Sequence, residues 1–128
     1  MDKEQLNQIS KQILDASITV HKEMGPGLLE AVYQQCLVKE LTLRDIKLNT
    51  MVPVPLQYKG YLLNKDYILD VLVEDEIILE LKSVEGILPV HEAQIISYLK
   101  LSNKRLGFLI NFNVPLLKNG FKRFVNNF

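Results

Sequence analysis

In Tyr67-Ile68-Leu69-Asp70-Val71-Leu72-Val73 a single acid interrupts a run of apolar residues, and Ile77-Ile78-Leu79-Glu80-Leu81-Lys82 repeats the pattern with two charges. Both runs read as β-strands, and Glu74-Asp75-Glu76 between them is too acidic to bury and marks the turn. Side chains alternate across a strand, so Glu80 and Lys82 share a face. If the turn has three residues, Val73 pairs with Ile77 and Asp70 falls opposite Glu80, about 5 Å apart at Cβ. A two-residue turn would send the two carboxylates to opposite faces. Paired carboxylates repel each other unless a proton or a cation intervenes, and hard divalent cations such as Mg²⁺ or Mn²⁺ choose oxygen ligands. The cluster can therefore be a metal site, with Lys82 orienting or helping to deprotonate a water while the metal stabilises charge on a phosphate. Equally, Lys82 can simply neutralise Asp70 or Glu80 at the sheet margin.

These residues need a scaffold. Apolar residues at Leu6, Ile9, Ile13, Ala16, Val20 and Met24 step by three and four, which predicts a first helix ended by Gly25-Pro26-Gly27. A second helix runs to about Arg44, with Leu29, Val32, Cys36 and Leu37 as its apolar face. Short β-rich runs follow, Leu48 to Tyr58 and Tyr61 to Leu63, parted by Lys59-Gly60 as a hairpin turn. Pro53 and Pro55 confine the first run to a sheet edge or a bulge. After the Asp70 and Glu80 strands, Pro89 precedes a helix from about Val90 to Leu101. Leu106 to Phe112 reads as a buried strand, and Val114 to Phe128 as a basic closing segment whose form the pattern leaves open. The order ααββββαβ predicts a single α/β domain spanning residues 1–128, a central mixed sheet flanked by helices.

The chain has 128 residues, 48% of them hydrophobic, and fifteen basic against fifteen acidic residues. That composition excludes a disordered tail, and one cysteine excludes a disulfide scaffold. The start, Met1-Asp2-Lys3-Glu4, has no apolar signal region, and the longest uncharged stretch, Leu106 to Leu117, is short of the roughly 20 residues of a membrane span. A cytoplasmic protein is expected. Zero net charge argues against a phosphate-binding surface, but the distribution is uneven. From Asp66 to Glu92 there are eight acids and one lysine or arginine, Lys82, whereas Ala93 to Phe128 holds six bases and no acid. Folding should set an acidic cluster beside a basic flank.

Four blocks carry a resemblance to a known family. Asp70 followed after nine residues by Glu80-Leu81-Lys82 resembles the signature of the PD-(D/E)XK nuclease superfamily. Gly27-Leu28-Leu29-Glu30-Ala31-Val32-Tyr33 is similar to the motif that names the GxxExxY protein family, often classed within that superfamily. His21 to Gly27, Leu88 to Gln94 and Leu109 to Pro115 extend the likeness over nearly the whole chain; Leu69 stands where the superfamily often has proline. The resemblance implies a restriction-endonuclease-like core and a Mg²⁺- or Mn²⁺-dependent nuclease acting on nucleic acid, DNA in the first instance. Asp70, Glu80 and the Leu81 carbonyl would bind the metal, Lys82 would act on the water, and Glu30 would add a helical carboxylate. Gln94 and Tyr98 resemble the Gln-x-x-x-Tyr element of RecB-type members, which lies beside the nucleic acid strand. A module that keeps this fold and binds nucleic acid without turnover is the competing implication. Self-association or a partner protein could supply specificity that so small a chain lacks.

Other candidates are open. His91 shares a helical face with Gln94 and can line the pocket. His21 can face the site or pack, and Tyr33 can orient Glu30 or pack against the sheet. Cys36 reads as an inert buried thiol.

Overall fold

The computed structural model describes residues 1–128. Helix α1, Lys3–Met24, opens with a reciprocal cap: the Gln5 amide donates to Asp2 Oδ1 at 2.8 Å and the Asp2 amide to Gln5 Oε1 at 2.9 Å. Leu6, Ile13, Ala16 and Val20 form its buried stripe, and Gly25, with φ 71°, ends it. Helix α2, Glu30–Leu43, buries Tyr33, Leu37 and Leu41. The expected face of Leu29, Val32 and Cys36 is thus rotated by about one residue. Leu29 precedes the helix and is 76% exposed, while Val32 and Cys36 are half-buried. The reason is Tyr33, whose ring stacks on Phe112 at 4.6 Å and draws that side of the helix inward.

Five strands form one mixed sheet in the order β1-β2-β3-β4-β5: Leu48–Tyr58, Tyr61–Val73, Ile77–Lys82, Leu106–Asn111 and Phe121–Val125. Only β3 and β4 are parallel, so the chain between them must cross a sheet face, and helix α3, Pro89–Ser102, makes that crossing. The prolines place β1 at the edge as expected, with a register shift between Pro55 and Gln57. Lys59 and Gly60, at φ 50° and 81°, form the two-residue hairpin turn.

One strand expectation needs correction. Tyr61–Leu63 and Tyr67–Val73 belong to one strand, because β1 pairs with β2 on both sides of the polar Asn64-Lys65-Asp66. In the closing segment a 3₁₀ turn, Leu117–Gly120, leads into β5.

The larger core lies between the sheet and α1 with α2; a smaller cluster, including Leu69, Leu72, Ile78 and Leu99, lies under α3. No helix is long and apolar enough to cross a membrane. Gly120 is buried, and a Cβ there would run into the Asn111 carbonyl. Gly120→Ala is therefore expected to cost about 1–3 kcal/mol by overpacking, read as a lower thermal midpoint in circular dichroism.

Candidate active site

The β2–β3 ladder runs through Val73↔Ile77, Leu72↔Ile78 and Val71↔Leu79, the register that a three-residue turn dictates. One step further the two carboxylates take over from the ladder. The Asp70 amide donates to Glu80 Oε2 at 2.9 Å, and the Leu81 amide donates to Asp70 Oδ2 at 2.9 Å. Each acid grips the opposite strand's backbone, so the pair is fixed where regular pairing stops.

Strand alternation also breaks here. Leu48, Val71 and Val73 pack under α1 and α2, whereas Val52, Val54, Leu69 and Leu72 pack under α3. Leu69 and Leu72 share a face at a spacing of three, so β2 changes faces between them. The β1–β2 pairing skips Met51 and Asp70, and Met51 has φ 52°. A left-handed backbone at a non-glycine residue is strained, and such outliers cluster at functional sites.

Helix α2 delivers Glu30 at its first residue. Gly27 turns the approach with φ 95°. The Tyr33 hydroxyl then donates to the Gly25 carbonyl at 2.5 Å and accepts from the Leu28 amide at 3.1 Å. Tyr33 thus fixes the loop before Glu30 and makes no bond to Glu30 itself. On the other side, Ser83 Oγ donates to the Leu28 carbonyl at 2.5 Å, locking the end of β3 to the same loop. Asn111 clamps the chain beyond it, accepting from the Val84 amide at 3.1 Å and donating to the Val84 carbonyl at 2.9 Å.

The electrostatics follow from burial. Glu80 is 7% exposed, and burial pushes its carboxyl up to about 8, helped by Asp70 and Glu30 and opposed by the Asp70 amide and Lys82. Burial also raises Asp70, against the Leu81 amide and Lys82. Glu30 is raised by burial and by Asp70, with Lys82 and His91 pulling it down. Lys82 is half-buried and forms no direct ion pair, so it does not act as a simple counter-ion bonded to Asp70 or Glu80. Nor do the late bases gather here. Lys104 and Arg105 pair with Asp75 and Glu76 at the turn, and Lys122 pairs with Glu92. The basic flank expected beside the acids is spent elsewhere, because the loop between α3 and β4 sets Lys104 and Arg105 at the turn and β5 sets Lys122 against α3.

Tyr98 lies on the α3 side of the site: burial raises its hydroxyl, and the charges of Glu80, Tyr67 and Asp70 add to that. Its ring meets Tyr67 edge-on at 4.8 Å. Gln94, one turn earlier, is exposed and makes no side-chain hydrogen bond. His91 accepts from the Leu88 amide at 3.0 Å and so caps α3, yet it is near enough to Glu30 to influence it. His21 is buried and bonds the Val114 carbonyl at 2.8 Å rather than any of the three carboxyl groups.

Gln34 was not among the expected residues. It lies one turn after Glu30, and its Nε2 donates to the Asp70 carbonyl at 3.4 Å. The i, i+4 spacing from Glu30 was the only signal for it in the sequence.

Three oxygen donors raised by burial, with one unbonded ammonium nearby, suit a hard divalent cation. No three His, Cys, Asp or Glu side chains close into a ready-made cage. That fits an ion that takes one or two carboxylates and completes its shell with water and substrate oxygens. The sequence from residue 7 to residue 124 matches the family model of the PD-(D/E)XK nuclease superfamily. No curated protein and no solved structure gives a significant match.

Proposed function

Because the chain belongs to the PD-(D/E)XK nuclease superfamily, we propose that it is a Mg²⁺- or Mn²⁺-dependent nuclease hydrolysing phosphodiester bonds of DNA, of the GxxExxY type. One observation carries this reading. The Asp70 and Glu80 carboxyls are each held by a backbone amide of the opposite strand, with half-buried Glu30 near Asp70. No ion pair of the protein neutralises any of the three, so a proton or a bound cation must do so.

Asp70, Glu80 and the Leu81 carbonyl would hold the metal, with Glu30 reaching it through water. When bound, the ion supplies a Lewis acid for charge on the phosphate and a more acidic water. Lys82, sharing Glu80's face, offers hydrogen bonds that orient the attacking water. Gln34 holds the Asp70 backbone and so positions the carboxylate. Gln94, Tyr98 and His91 steady the nucleic acid strand from α3.

The test is incubation with linear, circular and single-stranded DNA in Mg²⁺ or Mn²⁺. Degradation that stops on chelation supports the reading, and intact substrates under every condition overturn it.

A further inference from the structure

Eight consecutive residues of β2, Tyr61 to Ile68, are exposed, as is most of β1 opposite them. The β1–β2 hairpin is therefore an arm that leaves the body of the protein. It leaves from the site, because β2 passes from Tyr67 to Asp70 in three residues. Four of the five tyrosines lie along this path: Tyr98 on α3, Tyr67 against it, and Tyr58 and Tyr61 paired at the tip. The fifth, Tyr33, is in the core. Tyr58 and Tyr61 are direct partners across the tip and so share a face, and along β1 Tyr58 lies an even four residues from Val54, the partner of Tyr67, which puts the three tyrosines on one side of the arm. Lys59 lies over the Tyr58 ring at 5.5 Å. Asp66, the arm's one acid, is on the opposite face.

We propose that this face of the arm is a stacking platform for an unpaired nucleic acid strand entering the candidate active site. The inference rests on the nuclease reading and names its substrate class. Aromatic rings stack on bases of any sequence, and interleaved lysines follow the phosphates. Tyr58 and Tyr61 are 62% and 76% exposed, so both rings are open to a ligand. A second copy fits less well, since a two-fold pair on this face brings lysines together with no carboxylate to meet them, and Pro53 and Pro55 blunt edge pairing.

The test separates binding from cleavage by working in a chelator. Without tryptophan, the intrinsic fluorescence is that of tyrosine, and stacking should quench it. Wild type should bind an oligothymidylate at least several-fold more tightly than a blunt duplex. The double variant Tyr58→Ala/Tyr61→Ala should lose at least roughly tenfold in affinity, and Tyr58→Phe/Tyr61→Phe should retain it. Both sites are exposed, so circular dichroism should be unchanged. Equal binding by the alanine variant, equal affinity for duplex, or a wild-type dimer that this variant dissolves would each overturn the proposal. Cleavage by a wild type whose arm does not bind would sink the platform and leave the nuclease intact. Strand binding through the tyrosines with no cleavage in any metal would do the reverse.

Discussion

Glu80→Gln is expected to abolish Mn²⁺ binding and DNA cleavage together while making the metal-free protein more stable above neutral pH. Two opposite effects of one substitution follow from the position of Glu80. Its carboxyl is raised to about 8 chiefly by burial, so the native state holds a proton that the unfolded chain releases near its ordinary, lower value. Between those values the folded protein binds more protons than the unfolded one. Stability therefore falls as pH rises through this window and levels off above about 8, where Glu80 is ionised in both states. The loss is on the order of a few kcal/mol. Glutamine keeps an oxygen to accept the Asp70 amide but never ionises, so this slope should largely vanish and the alkaline melting temperature should rise by several degrees. Metal binding runs against the same proton. Mn²⁺ affinity of the native chain should climb with pH up to about 8, with proton release on binding. Calorimetry in two buffers of different ionisation enthalpy reads that release directly. A Glu80→Gln variant that is less stable in alkaline solution than wild type would show that the ionised carboxylate serves the fold instead.

The hairpin register was legible because two features of sequence suffice for it: strand alternation and the number of acidic turn residues. Glu74 and Asp75 adopt left-handed φ of 54° and 56°, closing the three-residue turn and setting Asp70 at the end of the ladder with Glu80. What supports that pair was not legible. Gln34 and Ser83 act on main-chain carbonyls, and a side chain that bonds backbone leaves no partner type in the sequence to search for. The face of α2 was misread because Tyr33 looks amphipathic in isolation. Its ring is in the core while its hydroxyl is satisfied by a loop five to eight residues earlier. The polar Asn64-Lys65-Asp66 separates two apolar runs in the sequence, whereas in an arm with two exposed faces polar residues are ordinary strand residues. The segregation of charge by sign was real, but which acids the late bases meet depends on which strand ends are neighbours in space.

Lys82→Ala should leave metal binding equal or slightly tighter and reduce cleavage by at least roughly a hundredfold, a general acid–base or positioning contribution of ordinary size. The positive charge of Lys82 lowers Glu30, Asp70 and Glu80, but it also repels a cation bound among them. Losing the lysine lets Glu80 hold its proton to a higher pH than about 8, so the first effect fades only in clearly more alkaline solution, where the carboxyl is ionised in both proteins and mainly the repulsion remains. Because Lys82 makes no direct ion pair, its loss leaves no acid stripped of a bonded partner, and folding should change little. The combination of intact fold, intact metal site and lost turnover is one that a structural counter-ion would not produce. Mn²⁺ titration of the variant beside a DNA degradation assay gives both readings on one sample. Cleavage at the original rate would remove Lys82 from the reaction, and weakened Mn²⁺ binding would show that it organises the carboxylates rather than the water.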